Sequence, residues 1–225
     1  MTVRISIIIP VLNEAAGIDA TLQSLQALRR QGHEVIVVDG GSRDETCQLA
    51  TPLADQVIES LPGRARQMNA GVRHAVNGVL LFLHADTRLP ATASGDIHAM
   101  LAAGHVWGRF DVRIVPEDRL LRIVAWMMNL RSLLTGIATG DQAIFVKREV
   151  FTSVGGYPDM PLMEDLILSD RLKQHGVPGC IRSRVTTSAR RWQQHGRVKT
   201  ILKMWCLRLA FRLGVSPARL VRFYG

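Results

Sequence analysis

No acidic residue follows Asp170, although 13 cations lie beyond it, from Arg171 to Arg222. The other 15 cations stand against all 19 acids in residues 1–170, a net −4 there within a chain of net +9. A basic C-terminal segment on a mildly acidic body suits an anionic partner: nucleotide phosphates, acidic lipid or nucleic acid. Aromatics are only 5% of the chain and few are interleaved with the cations, and no base-reading module is present, so no nucleic acid partner is expected. Cysteine is scarce too. Cys47, Cys180 and Cys206 have no metal-type spacing and an odd count, which excludes a disulfide framework and reads as a reducing compartment. No apolar run reaches the ~20 residues of a spanning helix. Met1 to Leu12, broken by Ser6 and Pro10, has neither the apolar core nor the cleavage site of a secretory signal. The expected location is cytoplasmic.

Glycine is missing where a dinucleotide-binding turn would need it. Pro10-Val11-Leu12-Asn13-Glu14 follows the first apolar run, so no backbone there is bared for a pyrophosphate. A Walker lysine loop, a His-Glu-x-x-His helix and a nucleophile elbow are absent as well.

What is present is an alternation. The 225 residues, 47% hydrophobic, suffice for one large domain with an appendage. Ile5 to Val11 and Glu34 to Val38 read as buried strands, separated by a helix from Asn13 to Arg30 with Ile18, Leu22 and Leu25 at helical spacing. Ser42 and Glu45 have the spacing of a capping box for the next helix. A short strand at 54–59, a helix from Gly63 to about Asn77 and a strand from Val79 to Leu83 continue the parallel pattern. That last strand delivers His84-Ala85-Asp86-Thr87 to its carboxyl end, where open α/β sheets bind ligands. A helix is expected over 91–103. Trp107 to Ile114 alternates like a half-buried antiparallel strand. Leu120 to Leu134 reads as a helix with Leu120, Ile123, Val124, Met127, Leu130 and Leu134 on one stripe. Gly140-Asp141-Gln142 precedes a short strand. Glu164-Asp165 opens a helix, where the dipole favours acids for purely structural reasons. Asp39, Asp86 and Glu164-Asp165 thus form three acidic stations, the first two on one sheet edge.

In their order these motifs resemble the family 2 glycosyltransferases: Ile7-Ile8-Ile9-Pro10-Val11-Leu12-Asn13-Glu14, Val37-Val38-Asp39-Gly40-Gly41-Ser42, Asn69-Ala70-Gly71, Leu83-His84-Ala85-Asp86-Thr87, Gly140-Asp141-Gln142 and Glu164-Asp165. The resemblance implies a GT-A fold, a mostly parallel α/β sheet flanked by helices, and inverting transfer of a sugar from a nucleotide sugar, UDP-sugar favoured, with Mg²⁺ or Mn²⁺. It implies Pro10, Glu14 and Asp39 around the nucleoside, Arg66 beside the diphosphate, and Asp86 as metal ligand. His84 replaces the first acid of the metal motif; an imidazole there is either a softer ligand suited to Mn²⁺ or a packing residue. By the same resemblance Asp165 is the catalytic base, Glu164 orients it or the acceptor, and Gly140, Asp141 and Gln142 form an acceptor-side loop.

Ala189-Arg190-Arg191-Trp192 resembles the Arg-Arg-Trp element of processive members without its leading Gln, and could contact diphosphate or acceptor. The chain divides into a transferase domain, 1–190, and a basic amphipathic helical tail, 191–225. Leu202, Trp205 and Leu209 share a face of that tail, which fits either packing on the domain or peripheral contact with the inner face of the plasma membrane and a lipid-linked acceptor. Two other readings stay open: a nucleotidyltransferase of related fold, and a non-catalytic adaptor for membranes or anions.

Overall fold

The computed structural model describes residues 3–190 and 196–223. Ile5–Val11 forms β1 and Glu34–Asp39 forms β2, each buried along its whole length and paired in parallel from Ser6 opposite Glu34 to Val11 opposite Asp39. Strands without a solvent face need helices on both sides. β3 (Gln56–Glu59) and β4 (Val79–Phe82) complete a parallel half. The β1–β4 ladder ends at Ile8, whose carbonyl accepts from Leu83 N at 3.0 Å. Pro10, next along the same edge, has no N–H to continue it, so the two strands part there and open a cleft.

Beyond β4 lie β5 (Thr87–Arg88), β6 (Trp107–Val115), β7 (Phe145–Lys147) and β8 (Gly179–Ser188), giving the order β3-β2-β1-β4-β7-β6-β8-β5. Only β7 and β5 run against the rest, so the sheet is mostly parallel, as expected. β6 corrects the reading of its alternation. It is antiparallel to β7 but parallel to β8, and Trp107, Gly108, Arg109 and Phe110 are all buried. Arg109 tolerates this because its guanidinium donates to Asp111, to Ser132 Oγ at 3.0 Å and to Asn129 O at 3.2 Å.

One face of the sheet is covered by α1 (Ala15–Arg30), α2 (Thr46–Ala50), α4 (Ala93–Ala102) and α5 (Arg119–Thr135), the other by α3 (Arg64–His74), α6 (Arg148–Ser153) and α7 (Glu164–Leu172). On α3 the approach is close enough to require glycine: a Cβ at Gly71 would stand 2.4 Å from Ile8 Cγ2. The capping box does not form. α2 starts only at Thr46, so Ser42 turns back, donating to Asp39 Oδ1 and accepting from Asn13 N, while Asp44 Oδ1 accepts from Thr46 N. On α5 the buried face is Leu121, Val124, Ala125 and Ser132; of the expected stripe only Val124 is buried, and Ile123, Met127, Leu130 and Leu134 face outward with Trp126.

The tail carries α8 (Arg197–Arg212) and α9 (Pro217–Leu220). Leu207 and Leu220 pack on Ile137, Leu162, Met163 and Leu166, so the tail is docked on the domain beside the start of α7. Its opposite face, with Leu202, Trp205, Leu209 and Leu213, is exposed. No helix among the described residues is long and apolar enough to cross a membrane.

Candidate active site

A cavity of about 530 Å³ opens where β1 and β4 part. Pro10 and Glu14 reach it from the end of β1, His84 and Asp86 from the end of β4, and Glu164 and Asp165 from the first turn of α7. Gly140 and Asp141 line it from a 3-10 turn, Gly140–Gln142. Three non-glycine residues adopt left-handed backbone beside these groups, Asn13 at φ 54°, Ala143 at φ 48° and Met163 at φ 69°. Such conformations are held only where the surroundings over-determine them.

The Gly140–Gln142 turn and Asp165 are one unit. Asp165 Oδ2 accepts from Gly140 N at 3.0 Å and Oδ1 from Leu166 N at 2.9 Å. Gln142 lies beneath rather than in the cavity: its Oε1 accepts from Thr139 N at 3.2 Å and its Nε2 donates to Asn129 Oδ1 at 3.4 Å, which fixes the turn. His84 Nδ1 stands 3.3 Å from Asp141 Oδ1, and its Nε2 abuts Gly140, where a Cβ would be only 2.3 Å away. The imidazole thus pairs with the turn through Nδ1 and packs on it through its Nε2 edge. Burial pushes the Glu164 carboxyl up, and the charge of Asp165 adds to it. Burial alone would raise Asp141, but the hydrogen bond and charge of His84, with Arg64 and Arg208, bring it below the usual carboxylate range.

On the other wall, Arg190 Nη2 donates to both Glu14 oxygens, at 2.8 and 2.9 Å. Burial pushes the Asp86 carboxyl up; His84 opposes this, and Asp141 and Glu14 reinforce it. Asp39 is buried just behind. Its Oδ2 accepts from Gly41 N and Ser42 N, and its Oδ1 from Ser42 Oγ, so the carboxylate shapes the Asp39-to-Ser42 loop. Arg66 turns away, its Nε donating to Asp159 Oδ1 at 2.8 Å. Arg64, one helical step earlier, lines the cavity in its place. Arg191 and Trp192 lie outside the described residues.

Two cavity residues had no role in the sequence reading. Gln67 is buried, and its Nε2 ties Val11 O and Val38 O together at 2.8 Å each, clamping the carboxyl ends of β1 and β2. Its only signal is a polar residue on the packed face of α3. Arg208 enters from α8, on the helix face shared with Met204 and Leu207. A cation beside the apolar face of the tail was the signal available.

Among the described residues no three His, Cys, Asp or Glu side chains form a closed metal cage. Asp86 fits an open site instead. Its carboxylate lines the cavity with one weak side-chain contact, Thr87 Oγ1 at 3.4 Å, which suits a hard cation that keeps most of its sphere for phosphate and water.

A parallel half-sheet with acids at its carboxyl edge, extended by a mixed half that carries the Gly140–Gln142 turn, is the GT-A architecture of nucleotide-sugar transferases. The family model described as glycosyl transferase family 2 matches residues 6–147, and the chain belongs to that family. A PGL/p-HBAD biosynthesis glycosyltransferase of Mycobacterium bovis (strain BCG / Pasteur 1173P2) is 34% identical over 163 residues, covering 68% of this chain and 62% of the relative's length. The chain thus spans a little under two thirds of the curated relatives it matches. Among solved structures, the Pyrobaculum calidifontis mannosyltransferase PcManGT, in complex with GDP-Man and Mn²⁺, superposes with TM-score 0.69 at 23% identity, covering 97% of this chain and 67% of that one. Glucosyl-3-phosphoglycerate synthase from Mycobacterium tuberculosis, with Mn²⁺, UDP and glucosyl-3-phosphoglycerate, gives 0.59 at 19% identity over 82% of this chain and 71% of that one.

Proposed function

We propose that the enzyme is an inverting transferase that moves a sugar from a nucleotide sugar, UDP-sugar first, to an acceptor hydroxyl, with Asp165 as general base. The observation that carries this reading is the Asp165 carboxylate, fixed in the cavity wall by Gly140 N and Leu166 N and facing a second wall of Glu14, Asp86 and Arg190. Asp165 takes the proton of the acceptor hydroxyl as that oxygen bonds the anomeric carbon and the carbon–oxygen bond to the diphosphate breaks. Burial disfavours the charge of Glu164, which suits it to hold the acceptor by hydrogen bonds. Pro10 and Glu14 bound the donor pocket, with Asp39 behind it to hold the loop and accept from the base, and Arg64 and Arg190 meet the diphosphate in the role expected of Arg66. Asp86 would hold Mg²⁺ or Mn²⁺ together with the donor; that cation supplies charge neutralisation on the leaving diphosphate. His84 positions the turn.

Peripheral membrane contact belongs to the same proposal. Its support is apolar surface beside cations: Leu202, Trp205 and Leu209 exposed on α8, and Ile123 and Trp126 bordering a groove of about 500 Å³ that also holds Arg113, Arg122, Arg182 and Arg184. The experiment is thermal stability against UDP, GDP, CMP and dTDP, each with and without Mn²⁺. Ligand at ~100 times its dissociation constant stabilises a fold by about 2.7 kcal/mol. A metal-dependent shift with one nucleotide is expected. No shift with any of them would remove the donor site and favour an adaptor.

A further inference from the structure

Two arginines have no part in the scheme above: Arg208, which lines the cavity, and Arg131, on which the charge of Arg208 acts. Arg131, from α5, has Nε and Nη2 buried, and Arg208, from α8, has Nε buried; none of these three nitrogens has a hydrogen-bond partner among the described residues. Leaving ionic donors buried without acceptors is expensive, and doing so with two cations side by side is more so. Burial, and next the charge of Arg208, bring the Arg131 guanidinium down to about 10. The acids that act on Arg131 are Asp165 and Asp141, whereas the arginine acting on Asp86 is Arg190. The unpartnered pair therefore sits on the side of the base, and Arg208 itself lines the cavity.

We propose that Arg131 and Arg208 form an anion subsite beside Asp165 that binds a phosphate group carried by the acceptor. This deepens the transferase reading and rests on it for the acceptor role alone. A phosphate suits the site better than a carboxylate. Two guanidiniums bring two positive charges to match a dianion, whereas a carboxylate brings one charge. With its phosphate anchored there, an acceptor presents a neighbouring hydroxyl to Asp165.

The test is titration of the full chain with inorganic phosphate, first alone and then with a saturating nucleoside diphosphate. Phosphate is expected to bind in both conditions. Arg131→Met and Arg208→Gln should each weaken it by roughly 10- to 100-fold, the worth of a charge-assisted hydrogen bond, and leave nucleotide affinity unchanged. Because Arg131 gives up no hydrogen bond, the Tm of Arg131→Met in phosphate-free buffer should stay level or rise. A fall there would make Arg131 structural and overturn the proposal. So would displacement of phosphate by the nucleotide, which puts the arginines on the leaving group, or equal phosphate affinity in the variants. Glycerol 3-phosphate and its acylated form, lysophosphatidic acid, each with a hydroxyl beside the phosphate, are titrated the same way to separate the sources: tighter binding of either, lost in both variants, supports the subsite and names a soluble or a lipid acceptor. If no nucleotide binds, the transferase reading falls while the phosphate result still decides the subsite.

Discussion

Replacing Gly140 by Ala adds one methyl group at the point where the turn, the imidazole and the base meet. That Cβ would stand 2.3 Å from His84 Nε2 and 2.5 Å from its Cε1, whereas such atoms rest at ~3.5 Å. Something must move by about 1 Å. The imidazole is held 3.3 Å from Asp141 and is mostly buried at the end of β4, so the turn is the softer partner. The turn cannot move alone, because Gly140 N holds Asp165 Oδ2 at 3.0 Å. Misplacing a catalytic group by about 1 Å costs on the order of 100-fold in rate, so kcat for nucleotide release from the nucleotide sugar should fall by that order, with acceptor or with water in its place. Donor affinity, set by the opposite wall, should hold. Overpacking of this kind costs about 1–3 kcal/mol, or several degrees of Tm in a chain of this size, so the variant remains folded at 25 °C. Combining it with His84→Ala vacates the space and should recover part of the lost rate, a coupling that a double-mutant cycle measures. A wild-type rate in Gly140→Ala, or a double variant no faster than the single one, would refute the reasoning.

Asp165→Asn should keep the fold and the nucleotide-dependent Tm shift while transfer drops at least ~100-fold, the usual contribution of a general base; full activity would remove Asp165 from that role. Gly71→Ala should cost about 1–3 kcal/mol in urea unfolding, because its Cβ meets Ile8 Cγ2 at 2.4 Å and Val38 Cγ2 at 3.1 Å in the core; a neutral result would mean that α3 lifts freely off the sheet. His33 makes stability pH-dependent. Ile5 N donates to its Nδ1 at 3.1 Å and Ser94 Oγ bonds its Nε2 at 2.9 Å, and burial first, then Arg4, lowers its pKa below 6.5. The unfolded chain binds this proton before the folded one, so the contribution is complete above about pH 6.5 and lost as pH falls below it. His33→Gln should flatten the dependence of Tm on pH between about 5 and 7, and an unchanged slope would assign it to other groups.

The donor half of the molecule is legible because its signals are local. β1, β2 and β4 are unbroken apolar runs, each ending in polar residues that must emerge at one edge of a parallel sheet. The second half is less so. β6 alternates along its sequence, yet both neighbours and the helix layer bury it, and Arg109 is satisfied by α5 partners 20 and 23 residues away, which no local pattern encodes. The α5 stripe is real as periodicity but faces outward, since Leu121, Val124, Ala125 and Ser132 win the contact with the sheet. The family resemblance put Arg66 beside the diphosphate, but position along α3 decides which arginine reaches the cavity, and Asp159 holds Arg66 outside.

The uneven charge of the chain has a structural sense that its totals do not carry. Five of the 19 acids of the first 170 residues line the cavity, Glu14, Asp86, Asp141, Glu164 and Asp165, and cations from the basic end are brought back to face them. Arg190 closes on Glu14, and Arg208 reaches the acceptor wall because α8 docks through Leu207. Part of the asymmetry is therefore balanced within the chain. Arg131 and Arg208 mark where the balance stops: their buried nitrogens have no acceptor among the described residues, while the nearby Asp165 is bonded to Gly140 and Leu166. A site built to neutralise its own charges would have paired these groups. One that leaves two guanidiniums unsatisfied near Asp165 reserves them for an anion that arrives with the substrate.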